Sequence, residues 1–258
     1  MIYQTIAVTE AEGIGTITLN RPTLMNALNT QMRAEITHAV KDLGARQRVL
    51  VLTGEGRAFC SGQDLGDGAS VEELDLGRIL REEYEPMLHA IYDCPVPVIA
   101  AVNGAAAGAG ANLALAADVV IAAQSAVFLQ AFSRIGLIPD AGGTYWLPRK
   151  VGFARAMGQA LFAEKVRADE AAEMGMIWAS VPDDQFAAEW QRRAAQLAKG
   201  PTLAYGAIRK ALRASLSNSL DGQLTLEADL QGECGRSRDF LEGVMAFLEK
   251  REAKFEGR

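Results

Sequence analysis

The chain has 258 residues, 49% of them hydrophobic, and a formal net charge of -6. That length buries a large core without covalent staples, and the acidic balance excludes a nonspecific grip on nucleic acid, which needs clustered Lys and Arg. Cys60, Cys94 and Cys234 match neither a disulfide framework nor metal-ligand spacing, and no leader or run of about 18 apolar residues is evident. The expectation is a cytoplasmic protein in a reducing compartment, with no metal, nucleic-acid or membrane partner.

The opening "IAVTEAEGIGTITLNRP" alternates apolar and polar residues on either side of Glu12-Gly13, the pattern of a β-hairpin. From Asn26 to Leu43 apolar residues recur at helical spacing, and Gly44 is placed to end that helix. "RVLVLTGEG" then reads as a short buried strand closed by glycines. A helix over roughly Val71 to Tyr92 follows, and "CPVPVIAAVNG" makes a second buried strand. "AAAGAGANLALAA" reads as a close-packed helix, "DVVIAA" as a strand and "SAVFLQ" as the start of another extended segment.

Strands alternating with helices predict an α/β layer structure. After Pro182 the periodicity is helical: Gln185 to Leu197, a break at Gly200-Pro201, helices through the 200s, and a last one from about Asp239 to Phe255. Residues 1–198 are therefore read as a core and 199–258 as a helical region whose apolar Phe240, Leu241, Val244, Phe247 and Leu248 call for a packing partner.

Two glycine-rich turns expose backbone. "AFCSGQDL" (58–65) follows a strand, and "NGAAAGAGANL" (103–113) leads into a helix that begins near Gly108. One N–H from each would form an oxyanion hole, although tight helix-to-sheet packing explains small residues there equally well. Neither turn matches the dinucleotide or P-loop pattern.

A third stretch, "AFSRIGLIPDAGGT" (131–144), carries one carboxylate, Asp140. An aspartate there can cap the helix that follows or act chemically. The residues by themselves favour the cap.

"LNRPTLMNALN", "AFCSGQDL", "VIAAVNGAAAGAGANLALAADVVIA" and "IGLIPDAGGT", in this order and spacing, resemble the crotonase (enoyl-CoA hydratase/isomerase) superfamily over essentially the whole chain. More narrowly, "AFSRIGLIPDAGGTYWLPR" and "EMGMIW" are similar to the isomerases that act on ring-1,2-epoxyphenylacetyl-CoA in bacterial phenylacetate breakdown. The resemblance implies a crotonase-like spiral of strand-strand-helix turns with C-terminal helices that mediate homotrimers or dimers of trimers. It also implies an acyl-CoA thioester substrate, with no cofactor beyond the coenzyme A that the substrate carries.

By that register the oxyanion donors are the backbone N–H groups of Gln63 and Ala109. Leu24, Ser61, Asp64 and Leu65 border the coenzyme, and Phe247 and Lys250 reach it from the same or a neighbouring subunit. Thr23 stands where many hydratases carry a lysine, which leaves a phosphate contact to another residue such as Arg57. Asp64 has a second reading, in which it holds its loop by hydrogen bonds to backbone. His38 and His89 lack a paired nucleophile and read as structural.

The two glutamates with which hydratases handle water fall on Asn112 and Phe132, neither of which can cycle a proton. The register instead turns Asp140 into the acyl cavity as a single acid/base, its pKa raised by apolar neighbours. The expected activity is therefore isomerisation, by double-bond migration or by conversion of the ring epoxide to an oxepin. A hydratase using Glu82 or Glu83 and a noncatalytic CoA-binding scaffold are the rivals. The role of Asn112, on the substrate or at a helix end, stays open at this level.

Overall fold

The computed structural model describes residues 2–66 and 75–258. Strands β1 (Ile6–Ala11) and β2 (Ile14–Leu19) form the expected hairpin, with Glu12 and Gly13 at φ of 51° and 80°. Helix α1 (Thr30–Gly44) begins later than its periodicity suggests, because Asn26 adopts a left-handed conformation and Asn29 caps the helix by accepting the Met32 N–H. Strands β3 (Val49–Gly54) and β4 (Ala58–Cys60) follow.

The expected helix from Val71 starts outside the described residues. Its described part runs as α2 (Leu76–Ile79), a π-helical turn (Leu80–Tyr84) and α3 (Glu85–Tyr92). Pro86 has no N–H and crowds the carbonyl of the preceding turn, which accounts for the wider hydrogen bond from Glu85 N–H to Leu80 O.

The next stretch corrects the sequence reading. Ala105–Ala107, expected in a helix, is strand β6, and helix α4 covers only Ala109–Leu115. Alanine's helix propensity gives way because β6 pairs in parallel with both β4 and β8 (Val127–Leu129). Strands β5 (Val98–Val102) and β7 (Val119–Ala123) agree with expectation. Helices α5 (Gly143–Val151), α6 (Phe153–Phe162) and α7 (Ala168–Glu173), with short strands β9 (Lys165–Arg167) and β10 (Ala179–Val181), complete this part.

Strands order as β1-β2-β3-β5-β7-β10 in one sheet and β4-β6-β8-β9 in the other. β2, β3, β5, β7 and β10 run parallel, and β5 is buried along its whole length, as expected for a sheet covered on both faces. This is the crotonase-like spiral. Helix α8 (Asp183–Lys199) packs on the sheet through Phe186, Ala194 and Ala198, and α9 (Thr202–Ala214), α10 (Leu220–Gly235) and α11 (Arg238–Glu249) form the C-terminal region.

The last helix is shorter than read. It stops at Lys250 with φ of 54°, and the tail returns so that buried Asp239 accepts the N–H groups of Glu256 and Gly257. The apolar residues expected to need a partner remain uncovered in the single chain, with Phe247 83% exposed. No described helix is long and apolar enough to cross a membrane.

Candidate active site

The parallel pairing of β4 with β6, Cys60 opposite Ala106, sets their following turns side by side. Two glycines allow the close approach. A Cβ on Gly62, whose φ is 99°, would fall 2.8 Å from the Ala107 carbonyl and 3.4 Å from Ala109 N. One on Gly110 would meet the Cys60 carbonyl at 2.3 Å.

The direction of the Gln63 N–H follows from its bridge to Leu28. Leu28 N–H donates to Gly62 O, and Asp64 N–H donates to Leu28 O. In that parallel pattern the N–H of Gln63 points to the opposite side. Ala109 is the first residue of α4, whose N–H has no intrahelical acceptor. Among the described residues neither N–H donates to another group.

The Gln63 side chain is held from two sides. Its Oε1 accepts Tyr84 Oη–H at 2.6 Å and Arg33 Nη1–H at 2.9 Å. Arg33, only 1% exposed, also donates to the Leu28 carbonyl, pairs with Glu83 at 2.6 Å and lies over the Tyr84 ring. Sequence reasoning missed this network, although one signal was available: Arg33 shares the helical stripe of Ile36 and Val40, both buried.

The same network occupies the alternative carboxylates. Burial pushes Glu83 up, but hydrogen bonds from Arg33 and Thr30 and the charges of Arg33 and Arg78 hold it below its ordinary value. Glu82 is exposed and paired with Arg78.

Asp140 does not cap α5. The cap position is Gly142, no side chain bonds there, and it is the backbone carbonyl of Asp140 that accepts the Gly143 N–H. One carboxylate oxygen, Oδ1, is buried with no hydrogen-bond partner among the described residues. Burial raises this carboxyl from 3.8 to about 6. Of the apolar neighbours that precede Asp140 in the chain, Ile138 is 76% exposed. Tyr84 is part of the actual surroundings: its hydroxyl is pushed up by burial and further by the Asp140 charge, against the opposing charge of Arg33.

Phe132 is buried beside the start of α4, its ring tip 3.7 Å from where a Gly108 Cβ would lie. Asn112 is fully buried and donates to the Asp140 carbonyl. A recess of about 380 Å³, lined by Leu88, Tyr92, Gly142, Tyr145 and Trp146, opens beside the Asp140 turn.

Of the expected coenzyme contacts, Leu24, Ser61, Asp64 and Leu65 gather near the Gln63 turn. Ser61 N–H and Oγ–H donate to the carbonyls of Met25 and Leu24, and Leu24 and Leu65 are half exposed. Asp64 pairs with Arg21 at 2.7 Å and accepts the Gly66 N–H, so it does hold its loop. Phe247 is not brought to this turn. It lines a groove of about 920 Å³ between the C-terminal helices, and Lys250 caps α11 beyond it.

His38 and His89 sit away from this arrangement. His38 bonds Tyr3, and His89 is exposed beside Asp93. Among the described residues no cluster of three His, Cys, Asp or Glu side chains is placed to hold a metal ion.

The enoyl-CoA hydratase/isomerase family model matches residues 9–258. The chain belongs to the enoyl-CoA hydratase/isomerase family. It is 66% identical over the full length of both chains to a Rhodobacter capsulatus protein named "Probable enoyl-CoA hydratase". It is 48% identical, over 96% of each chain, to the 1,2-epoxyphenylacetyl-CoA isomerase of Escherichia coli. Among solved structures, the enoyl-CoA hydratase of Bacillus anthracis superposes with a TM-score of 0.91 at 31% identity, covering 99% of this chain and 100% of that one.

Proposed function

We propose that this enoyl-CoA hydratase/isomerase family member is an acyl-CoA isomerase with Asp140 as its single acid/base. The observation that carries the reading is the buried, unpartnered Oδ1 of Asp140, a carboxylate committed neither to a cap nor to a cation. The thioester carbonyl oxygen accepts the N–H groups of Gln63 and Ala109. As Asp140 takes a proton from the carbon next to the thioester, the electron pair moves toward that oxygen and the two donors stabilise it. In a 3-enoyl-CoA the pair then returns to form the new double bond while the proton goes back to a more distant carbon. One group serves both transfers because its pKa near 6 lets it accept and release a proton near neutrality.

The E. coli relative's name supplies the substrate proposed here, 1,2-epoxyphenylacetyl-CoA, with the oxepin isomer as product. Double-bond migration in 3-enoyl-CoA is the related activity. Leu24, Ser61, Asp64 and Leu65 border the coenzyme. The exposed apolar groove of the C-terminal helices receives other copies of the chain in a trimer or a pair of trimers, which brings Phe247 and Lys250 to a neighbouring coenzyme.

The name of the 66% identical relative favours a hydratase as the second reading. Asn112 and Phe132 at the two water-handling positions, and the engaged Glu82 and Glu83, count against it. Wild type and Asp140→Asn assayed on 1,2-epoxyphenylacetyl-CoA, a 3-enoyl-CoA and crotonyl-CoA separate the two. Isomerase activity lost in the variant, with crotonyl-CoA left unhydrated by both, is expected. Full isomerase activity in the variant removes Asp140 from the chemistry.

A further inference from the structure

Asn112 is completely buried, and two of its polar contacts define its orientation. Its Nδ2 donates to the Asp140 carbonyl at 2.7 Å, which leaves Oδ1 to accept from Gln130 Nε2 at 2.8 Å. The carbonyl admits only a donor, so the direction of the whole relay is fixed. Gln130 is 4% exposed, and its own Oε1 has no partner among the described residues. Leaving a buried amide oxygen unpaired is unfavourable, so the relay holds Gln130 against a local cost.

The turn at its far end is also held against a preference. Ala141 and Gly142 are both left-handed, with φ of 47° and 77°. An alanine in that region persists when its surroundings over-determine it. Here the Asp140 carbonyl is gripped twice, by Asn112 Nδ2 and by the Gly143 N–H. Without the grip the turn is free to relax, and the carboxylate is free to reach water or the N–H groups at the start of α5.

We infer that Asn112 and Gln130 form a positioning pair that clamps the Asp140 turn and keeps its carboxylate uncapped, with Oδ1 buried. This rests on the reading of Asp140 as the acid/base. The position that a hydratase uses for one of its glutamates thus serves here to hold a different carboxylate in place. Among the described titratable groups, Tyr84 on the π-turn is the one coupled to the Asp140 charge, and it stays protonated at neutral pH. Among the described residues no cation acts on Asp140; burial raises it, and a hydrogen bond from its own backbone N–H opposes the rise. Loosening the turn therefore returns the carboxyl toward its ordinary value.

The test is the pH dependence of 3-enoyl-CoA isomerisation by wild type, Asn112→Leu, Gly143→Ala and Asp140→Asn. In the wild type kcat/KM rises as Asp140 ionises near pH 6. Asn112→Leu is expected to lower kcat on the order of tenfold to a hundredfold with KM nearly unchanged, and to move the acidic limb to lower pH. Gly143→Ala would place a Cβ 2.3 Å from Asn112 Nδ2, presses on the same bond, and carries the same expectation if Asn112→Leu does not fold. An acidic limb unmoved in these variants, with Asp140→Asn inactive, overturns the clamp alone. Full activity of Asp140→Asn takes down the parent reading and the clamp together.

Discussion

The two halves of the candidate site treat their polar groups in opposite ways. Around Gln63 the side-chain oxygen has two donors, Arg33 has a carboxylate and a carbonyl, and Glu83 has a cation. What remains unspent is main chain, the N–H groups of Gln63 and Ala109. Around Asp140 the backbone is spent and a side-chain oxygen is left over. A donor that must not move is best made from peptide groups locked by a satisfied network. A group that must gain and lose a proton is best left without a partner, because each hydrogen bond to its charged form would pull its pKa down.

The largest expected disturbance of the satisfied half is Arg33→Met. It removes the buried cation and leaves Glu83 with only Thr30 and the more exposed Arg78, at a cost of roughly 3 kcal/mol. Urea unfolding of the variant measures it, and a loss below about 1 kcal/mol would mean that the pair behaves like an exposed one. Gly62→Ala comes next. The added Cβ meets the Ala107 carbonyl at a positive φ, which pushes the two donors apart, and kcat should fall on the order of a hundredfold with KM little changed. Steady-state kinetics with a 3-enoyl-CoA decides it, and an unchanged kcat would detach these turns from the chemistry.

On the unsatisfied half the effect has the opposite sign. The folded chain holds the Asp140 proton more tightly than the unfolded one, since the carboxyl rises from 3.8 to about 6. Between those values the folded state binds more protons, so stability declines as pH increases through this window. Asp140→Asn removes the decline. The variant should be the more stable protein by on the order of 2 kcal/mol above about pH 7, with the advantage vanishing near pH 4. Denaturant titrations at both pH values check this, and a destabilised variant at neutral pH would show that the carboxylate is paired after all.

Tyr84→Phe is the mildest break. It deletes one donor to Gln63 while Arg33 keeps the other, so a loss of about 1 kcal/mol in stability is expected. A few-fold drop in kcat should accompany it, read in the same kinetic assay.

Much of the spiral was legible because its strands are apolar, β-branched and closed by glycines, as in "RVLVLTGEG". Strand β6 was hidden, since three alanines carry no β signal and their pairing with β4 and β8 is nonlocal. The start of α1 was misplaced because Asn26 spends its side chain on the Arg21 N–H and the Ala58 carbonyl in a left-handed turn, which periodicity does not register. At the site, the register of the motifs pointed to Gln63, Ala109 and Asp140. Of the residues that hold them, Arg33, Tyr84 and Gln130 read as ordinary helix or strand-end positions, and Asn112 stood out only as a position where hydratases carry a glutamate. Their meaning depends on partners 18 to 50 positions away.

The spacing of the two main-chain donors is inherited from one pair of three-residue strands, β4 and β6. Each further residue of slip between them would displace one donor by about 3.3 Å, more than a hydrogen bond tolerates. The small sheet therefore works as a calliper: substitutions along it can retune how far apart these two N–H groups stand.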